Sequence, residues 1–198
     1  MNVEAGSIYI NEVCAYTKLT LSDVDSLRLS INKVFFDFTQ YLHRMIVCVT
    51  SQSEDENVVS KRLNKVPSAF ESTVSTYCNT KDSSGMSASI SAQTGSLIAI
   101  IKATNDEDKR LIKSVRKDFI SNSNIFCSYF SELSSDWPVE SASSLYEKFI
   151  DSVINSVQSR MIHNWNADVI AFDNCVSIMN KIADMITNIL IKSLLSVK

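Results

Sequence analysis

Apolar residues recur along this chain mainly at steps of three and four, the spacing that stacks side chains on one face of an α-helix. The stretch WNADVIAFDNCVSIMNKIADMITNILIKSLL, Trp165 to Leu195, carries the pattern furthest. Trp165, Val169, Phe172, Val176, Met179, Ala183, Ile186 and Leu190 form one seam, with Ile178, Ile182, Met185, Ile189 and Leu194 beside it. From Val176 onward the apolar residues cover close to half the circumference, whereas a rim helix needs only a stripe of about 100°. Burial is worth roughly 1.5–3 kcal/mol per large apolar side chain, so such a face is not left in water. The expectation is a central core helix. The alternative is an oligomer interface through Ile178, Ile182, Met185, Ile189, Ile191 and Leu195, the last two extending the patch onto the otherwise polar side. A membrane-surface helix fits less well, because the polar face holds Ser, Asn and Thr with few lysines.

The same spacing predicts further helices. Ser22 opens one, with Asp25 at its third position as a capping-box variant. Val24, Leu27, Ile31, Val34, Phe38, Tyr41, Met45 and Cys48 then share a face, while Leu29, Phe36 and Val47 fall outside it and imply cover on a second side. Ser53 and Glu56 have capping-box spacing ahead of Val59, Leu63, Val66, Phe70, Val74 and Tyr77. Pro67 either kinks that segment or starts a second helix, since it cannot donate a backbone hydrogen bond. Residues 1–20 are readable as a short helix or an edge strand, helix being preferred. Residues 79–95, NTKDSSGMSASISAQTG, hold two of the three glycines and a run of serines, and read as a flexible connection. Asn105 or Asp106 looks like the next helix start. Leu111, Ile112, Val115 and Phe119 share a face of a helix ending near SNSN, a short helix follows over Ile125 to Leu133, and Ser141 or Ser143 caps another through Leu145, Phe149, Val153 and Val157. Near HNWN, at 163–166, that helix breaks or runs on.

The predicted architecture is thus an all-α bundle of about six to eight helices with the long apolar C-terminal helix at its centre. It is read as a single helical domain over 1–198, with a possible subdivision into 1–78 and 96–198 joined by the 79–95 loop. Composition agrees: 45% hydrophobic and 21% charged residues suit a globular chain, and three Gly and two Pro in 198 residues favour long helices over tight turns. Five scattered cysteines, odd in number and without a C-x-x-C pair, read as isolated buried thiols. Glu4 and the lack of an early apolar run argue against a secretory signal, and no N-x-S/T sequon occurs, so a reducing, cytoplasmic setting is expected. Lys181, Asp184 and Lys192 interrupt the best candidate for a membrane span.

Candidate chemistry is sparse. His43 and His163 lie far apart, with no H-E-x-x-H and no Cys/His spacing suited to zinc, and no glycine-rich phosphate loop or G-x-S-x-G occurs. His43 reads as a partly exposed surface histidine and His163 as a helix-end residue. Asp168 and Asp173 are five apart and do not stack on one helix face. No catalytic residue, metal ligand or cofactor is therefore expected. The one charged constellation is DEDKRLIKSVRKDF, in which Lys109, Arg110, Lys113, Arg116 and Lys117 fall within about a third of the helix circumference. Lys61, Arg62 and Lys65 form a smaller set that would join it if the two helices were neighbours. Asp106, Glu107, Asp108 and Asp118 are interspersed, which makes a mixed-charge solvated face the default, and the net charge of −3 gives no overall pull on nucleic acid. NWNADVIAF shares its Asn-Trp with a sequence box of the apoptosis-regulating Bcl family of helical bundles. Asn166 and Ala167 replace the Gly-Arg pair that defines the box, so no family is assigned.

Three functions remain. The leading one is a non-enzymatic interaction or assembly protein working through helix faces, with a second copy of itself or another helical protein as partner. The alternative is a nucleic-acid-associated coat or nucleocapsid-type subunit using the basic helix 106–120. The third is an enzyme with an unrecognised site.

Overall fold

The computed structural model describes residues 21–77 and 82–196, the side chains of Leu195 and Ser196 excepted. Among these residues the chain is all-α, without a strand: α1 Leu21–Ser51, α2 Glu56–Leu63, α3 Val66–Tyr77, α4 Ser83–Asn105, α5 Lys109–Leu133, α6 Val139–Met161 and α7 Trp165–Ser196. The reading of residues 1–20 falls outside them.

α1 buries the predicted face, Leu27, Ile31, Val34, Phe38, Met45 and Cys48. The second side is not covered as expected, for Leu29 and Phe36 stand in water. Pro67 lies in the first turn of α3, where its missing N–H costs no helical bond, so the segment is two helices. The expected Ser53–Glu56 capping box does not form; Ser53 Oγ donates instead to Asp55 Oδ1 at 2.6 Å.

The largest departure is α4. Residues 83–95, expected as a flexible loop, are the first half of a 23-residue helix. Ser87, Ser89, Gln93, Thr94 and Thr104 are buried beside Met86, Ile90, Leu97, Ile100 and Ile101. Thr94 Oγ1 donates back to the Ile90 carbonyl at 2.8 Å, and this is how a hydroxyl enters a helical core without a partner on another element. Gly85 faces the Tyr129 ring of α5 so closely that a Cβ there would collide with it.

Three boundaries also move. α5 is continuous across SNSN, starts at Lys109 rather than Asn105 or Asp106, and is capped by Asp108, which accepts from the backbone N–H of Arg110 and Leu111 at 3.1 and 2.9 Å. α6 begins directly after Pro138, ahead of Ser141 and Ser143. At HNWN the chain breaks, and Trp165 opens α7.

α6 packs along α7, α4 along α5, and α1 against α7, α2, α3 and α4. One continuous core results. An aromatic chain runs through it: Phe35–Phe70, Phe70–Phe126, Phe126–Phe130 and Phe130–Trp137 have ring centroids 6.0, 5.6, 5.1 and 4.9 Å apart. α7 is not the enclosed centre of the bundle. It buries Ile178, Met179, Ile182, Ala183, Ile186, Ile189 and Leu190, while Asn174, Asn180, Asp184 and Asn188 keep a polar face in water. A helix wedged between α1 and α6 needs half its circumference apolar without being surrounded. The same packing places the residues expected at an oligomer interface. Ile178, Ile182 and Ile189 face the chain's own core, Met185 and Ile191 pack at its edge, and the Leu195 side chain lies outside the described residues. Cys48, Cys127 and Cys175 are free and buried; Cys14 and Cys78 lie outside the described residues. Among the described residues, no helix is long and apolar enough to cross a membrane.

Candidate functional site

Hydroxyls on the inner faces of these helices mostly serve their own backbone. Thr39, Thr50, Ser123, Ser152 and Thr187 each donate to a carbonyl one turn back. Ser156 does not. It is fully buried on α6 and donates across to Asp168 Oδ1 of α7 at 2.6 Å. Arg160, one turn further along α6, donates Nη1 to Asp168 Oδ2 at 2.7 Å and Nε to Thr50 Oγ1 of α1 at 3.1 Å. Among the described residues, Asp168 is the one buried charged side chain. A buried carboxylate is tolerated only with such partners, and its place in the first turn of α7 adds the favourable field of the helix N-terminus.

His43 of α1 completes the joint. Its ring stacks on Phe172 of α7, centroids 4.3 Å apart, and sets Nε2 3.6 Å from Asp168 Oδ1, too far for a hydrogen bond; Nε2 is buried without a partner. Burial lowers the pKa of the imidazole below its ordinary value, and Arg160 adds to that while Asp168 opposes it. Serine, histidine and aspartate thus meet, but not in the order of a hydrolytic triad. The hydroxyl donates straight to the carboxylate, His43 Nε2 bonds neither, and Ser156 has no exposed surface for a substrate. Its contacts tie α1, α6 and α7 together at one end of the bundle.

The α6–α7 corner beside the joint is fixed by its own backbone. His163 takes φ 57°, its N–H donating to the Arg160 carbonyl at 3.0 Å and that of Asn164 to Ser159 at 2.8 Å, the Schellman closure of a helix. The Asn164 side chain then accepts from the Ala167 N–H at 3.2 Å, starting α7. On this corner Ile162, Trp165, Val169 and Ile170 are 75, 53, 56 and 62% exposed. The Arg160 guanidinium lies over the Trp165 ring at 5.3 Å, and the His163 ring is also 5.3 Å away. The seam read from the sequence therefore leaves the core at the start of α7: Trp165 and Val169 are out, Phe172 and Val176 half-buried, Met179 and Ala183 inside.

The basic set is divided by the fold. Arg116 is held by Asp151 through two hydrogen bonds of 3.0 and 3.2 Å, whereas Lys109, Arg110, Lys113 and Lys117 are exposed. Arg62 lies over the Tyr41 ring at 4.8 Å and 3.5 Å from Asp37. α2 packs on α1 and α5 on α4 and α6, so the two basic sets sit on helices with different partners.

The thiols of the described cysteines lie away from the joint's carboxylate. An open groove along α1 passes His43, Arg44, Cys48 and Asp55. Asp55 accepts from Ser53, Arg44 and Cys48, which hold its carboxyl well below the usual carboxylate range. Cys48 is pushed up to about 11, first by burial and then by its bond to Asp55, so the thiol is a donor. Burial pushes Cys127 and Cys175 up to about 12. Among the described residues, no group of three His, Cys, Asp or Glu side chains is placed to hold a metal ion.

Sequence reasoning missed the joint. Its one signal was that Asp168 falls three and four apart in the series Ala171, Cys175, Ile178, Ile182, a charge at an apolar position. Comparison of the chain with protein-family models, with curated proteins and with solved structures finds no match.

Proposed function

We propose that this chain is a non-enzymatic helical interaction protein whose contact surface is the α6–α7 corner, and that its first partner is a second copy of itself. The observation carrying this reading is the concentration of Ile162, Trp165, Val169 and Ile170 in water on a corner held by a Schellman turn, an Asn164 cap and the pair of half-buried Arg160 with buried Asp168. Isolated exposed apolar residues need no explanation, but a cluster on a rigid turn does. Trp and Arg are the side chains that most often anchor interfaces, and a preorganised backbone lowers the ordering cost of binding. A two-fold contact would set the same apolar corner against itself, with exposed Asn166 and Asp173 at its rim.

Light scattering over a concentration series at low and high salt tests it. The mass should rise towards a dimer and change little with salt, and Val169→Asp or Ile170→Asp should hold the chain at monomer mass. Wild type staying monomeric throughout the series would remove the self-association.

A further inference from the structure

We propose that the exposed face of α5 binds the phosphate backbone of a nucleic-acid duplex without regard to base sequence. Lys109, Lys113 and Lys117 follow one another at steps of four, with Arg110 beside them, so the cations run along about 12 Å of helix at 1.5 Å per residue. All four are exposed, and among the described residues none takes part in an ion pair. Arg116, which the sequence groups with them, is spent on Asp151.

Three of the acidic residues that made this run look like an ordinary mixed-charge surface lie together at its N-terminal end, ahead of the first turn of α5. Asp106 is the C-cap of α4, Glu107 sits in the turn at φ 57°, and Asp108 is turned back onto the first N–H groups of α5. Of the interspersed acidic residues only Asp118 lies within α5, where helical spacing puts it at the edge of the cationic face, and Glu132 stands about four turns beyond Lys117 near the far end of the helix. Exposed Ser114 and Ser121 add hydroxyl donors of the kind that contact phosphate oxygens.

Two features select the ligand. Single-stranded nucleic acid is held by stacking on exposed aromatic side chains. On α5, however, Phe119, Phe126 and Phe130 are buried, and Tyr129 is half-buried against Gly85. A membrane surface requires a continuous apolar face to insert, whereas the exposed apolar residues of α5 are Leu111 and Ile125, nearly four turns apart. A duplex backbone needs neither.

Four phosphate contacts give a slope of log affinity on log salt of about −3.6, a loss of roughly 100-fold between 50 and 200 mM salt. The test titrates the full chain into a fluorescent DNA duplex, an RNA duplex of the same length, the single strands, and phosphatidylserine vesicles, each at several salt concentrations. Lys113→Gln and Lys117→Gln should each reduce the steepness by about 0.9. Arg116→Gln and the remote Lys181→Gln should leave it unchanged, with far-UV circular dichroism confirming that every variant is folded. Equal binding of both duplexes supports contact with the shared backbone charge, and preference for one supports the site and names its source. Absence of duplex binding at low salt, a slope indifferent to Lys113 and Lys117, or tighter binding to single strands or vesicles would each overturn the proposal.

Discussion

α4 and α7 line the same core and fill it with different chemistry. α7 brings branched aliphatic residues, Ile178, Ile182, Ile186 and Leu190, at the positions that face its neighbours. α4 brings Leu97, Ile100 and Ile101 interleaved with Ser87, Ser89, Thr94 and Thr104. Small residues bury less apolar area, but they allow close approach, as Gly85 does to the Tyr129 ring, and Thr94 returns its hydrogen bond to its own helix while Thr104 Oγ1 is buried without a partner. α7 gains more from burial and carries one demanding group at its start, Asp168. A helix can thus be held by apolar volume or by close approach, and each mode fails to a different substitution.

The strongest break should come at the charged end of α7. Asp168→Ala leaves the buried Ser156 hydroxyl without its acceptor and half-buried Arg160 with only its Thr50 bond. Removing one partner of a fully buried pair typically costs about 3–5 kcal/mol, and partial exposure of Arg160 puts the loss near the lower end. Urea unfolding should show that loss; a change below about 1 kcal/mol would mean that the joint does not lock the corner.

Next comes volume. Ile186→Ala in α7 should cost about 2–5 kcal/mol through lost burial and a cavity. Thr94→Val in α4, which deletes a hydroxyl bonded only to its own helix, should cost no more than about 1 kcal/mol. Equal losses at the two sites would erase the distinction between the helices.

Glycine in α4 gives a finer test. A Cβ on Gly95 would meet nothing within 4 Å, so Gly95→Ala should raise stability by about 0.5–1 kcal/mol, as removal of a mid-helix glycine does. Gly85→Ala should forfeit that gain, because the Tyr129 ring must move aside.

The pH dependence reports on the joint between α1 and the start of α7. His43 has a lowered pKa in the folded chain, so below its ordinary value of 6.5 the unfolded chain binds the proton first. Its contribution is complete above about 6.5 and is lost as pH falls from there towards the lowered folded value. Chemical denaturation across that range should show a slope that His43→Phe abolishes. The smallest stability effect belongs to the exposed corner: Trp165→Ala should change unfolding by no more than about 0.5 kcal/mol, yet weaken self-association.

How far the primary structure carried is visible in particular residues. Steps of three and four in α1, α3, α6 and α7 identified those helices, because an amphipathic face repeats every turn and needs no knowledge of what it packs against. Pro67 marked a boundary for the equally local reason that it lacks an N–H. The basic run 109–117 was likewise readable, as a list of charges.

Tertiary structure decided the rest. α4 was hidden because its buried positions include serine, threonine and glutamine, and burial of those residues depends on neighbours that allow close approach. The helix ends at Gln52, Glu107 and His163 carry no glycine, although all three residues adopt left-handed backbone, so their turn geometry was decided by the structure. Which of the five cations is held followed from Asp151 on α6, thirty-five residues beyond Arg116. The joint of His43, Ser156, Arg160 and Asp168 joins three helices, and the apolar seam of α7 is exposed at one end because α1 and α6 cover only the rest. Local periodicity fixes which side of a helix is apolar; only the assembled bundle determines how much of that side is covered and which charges meet.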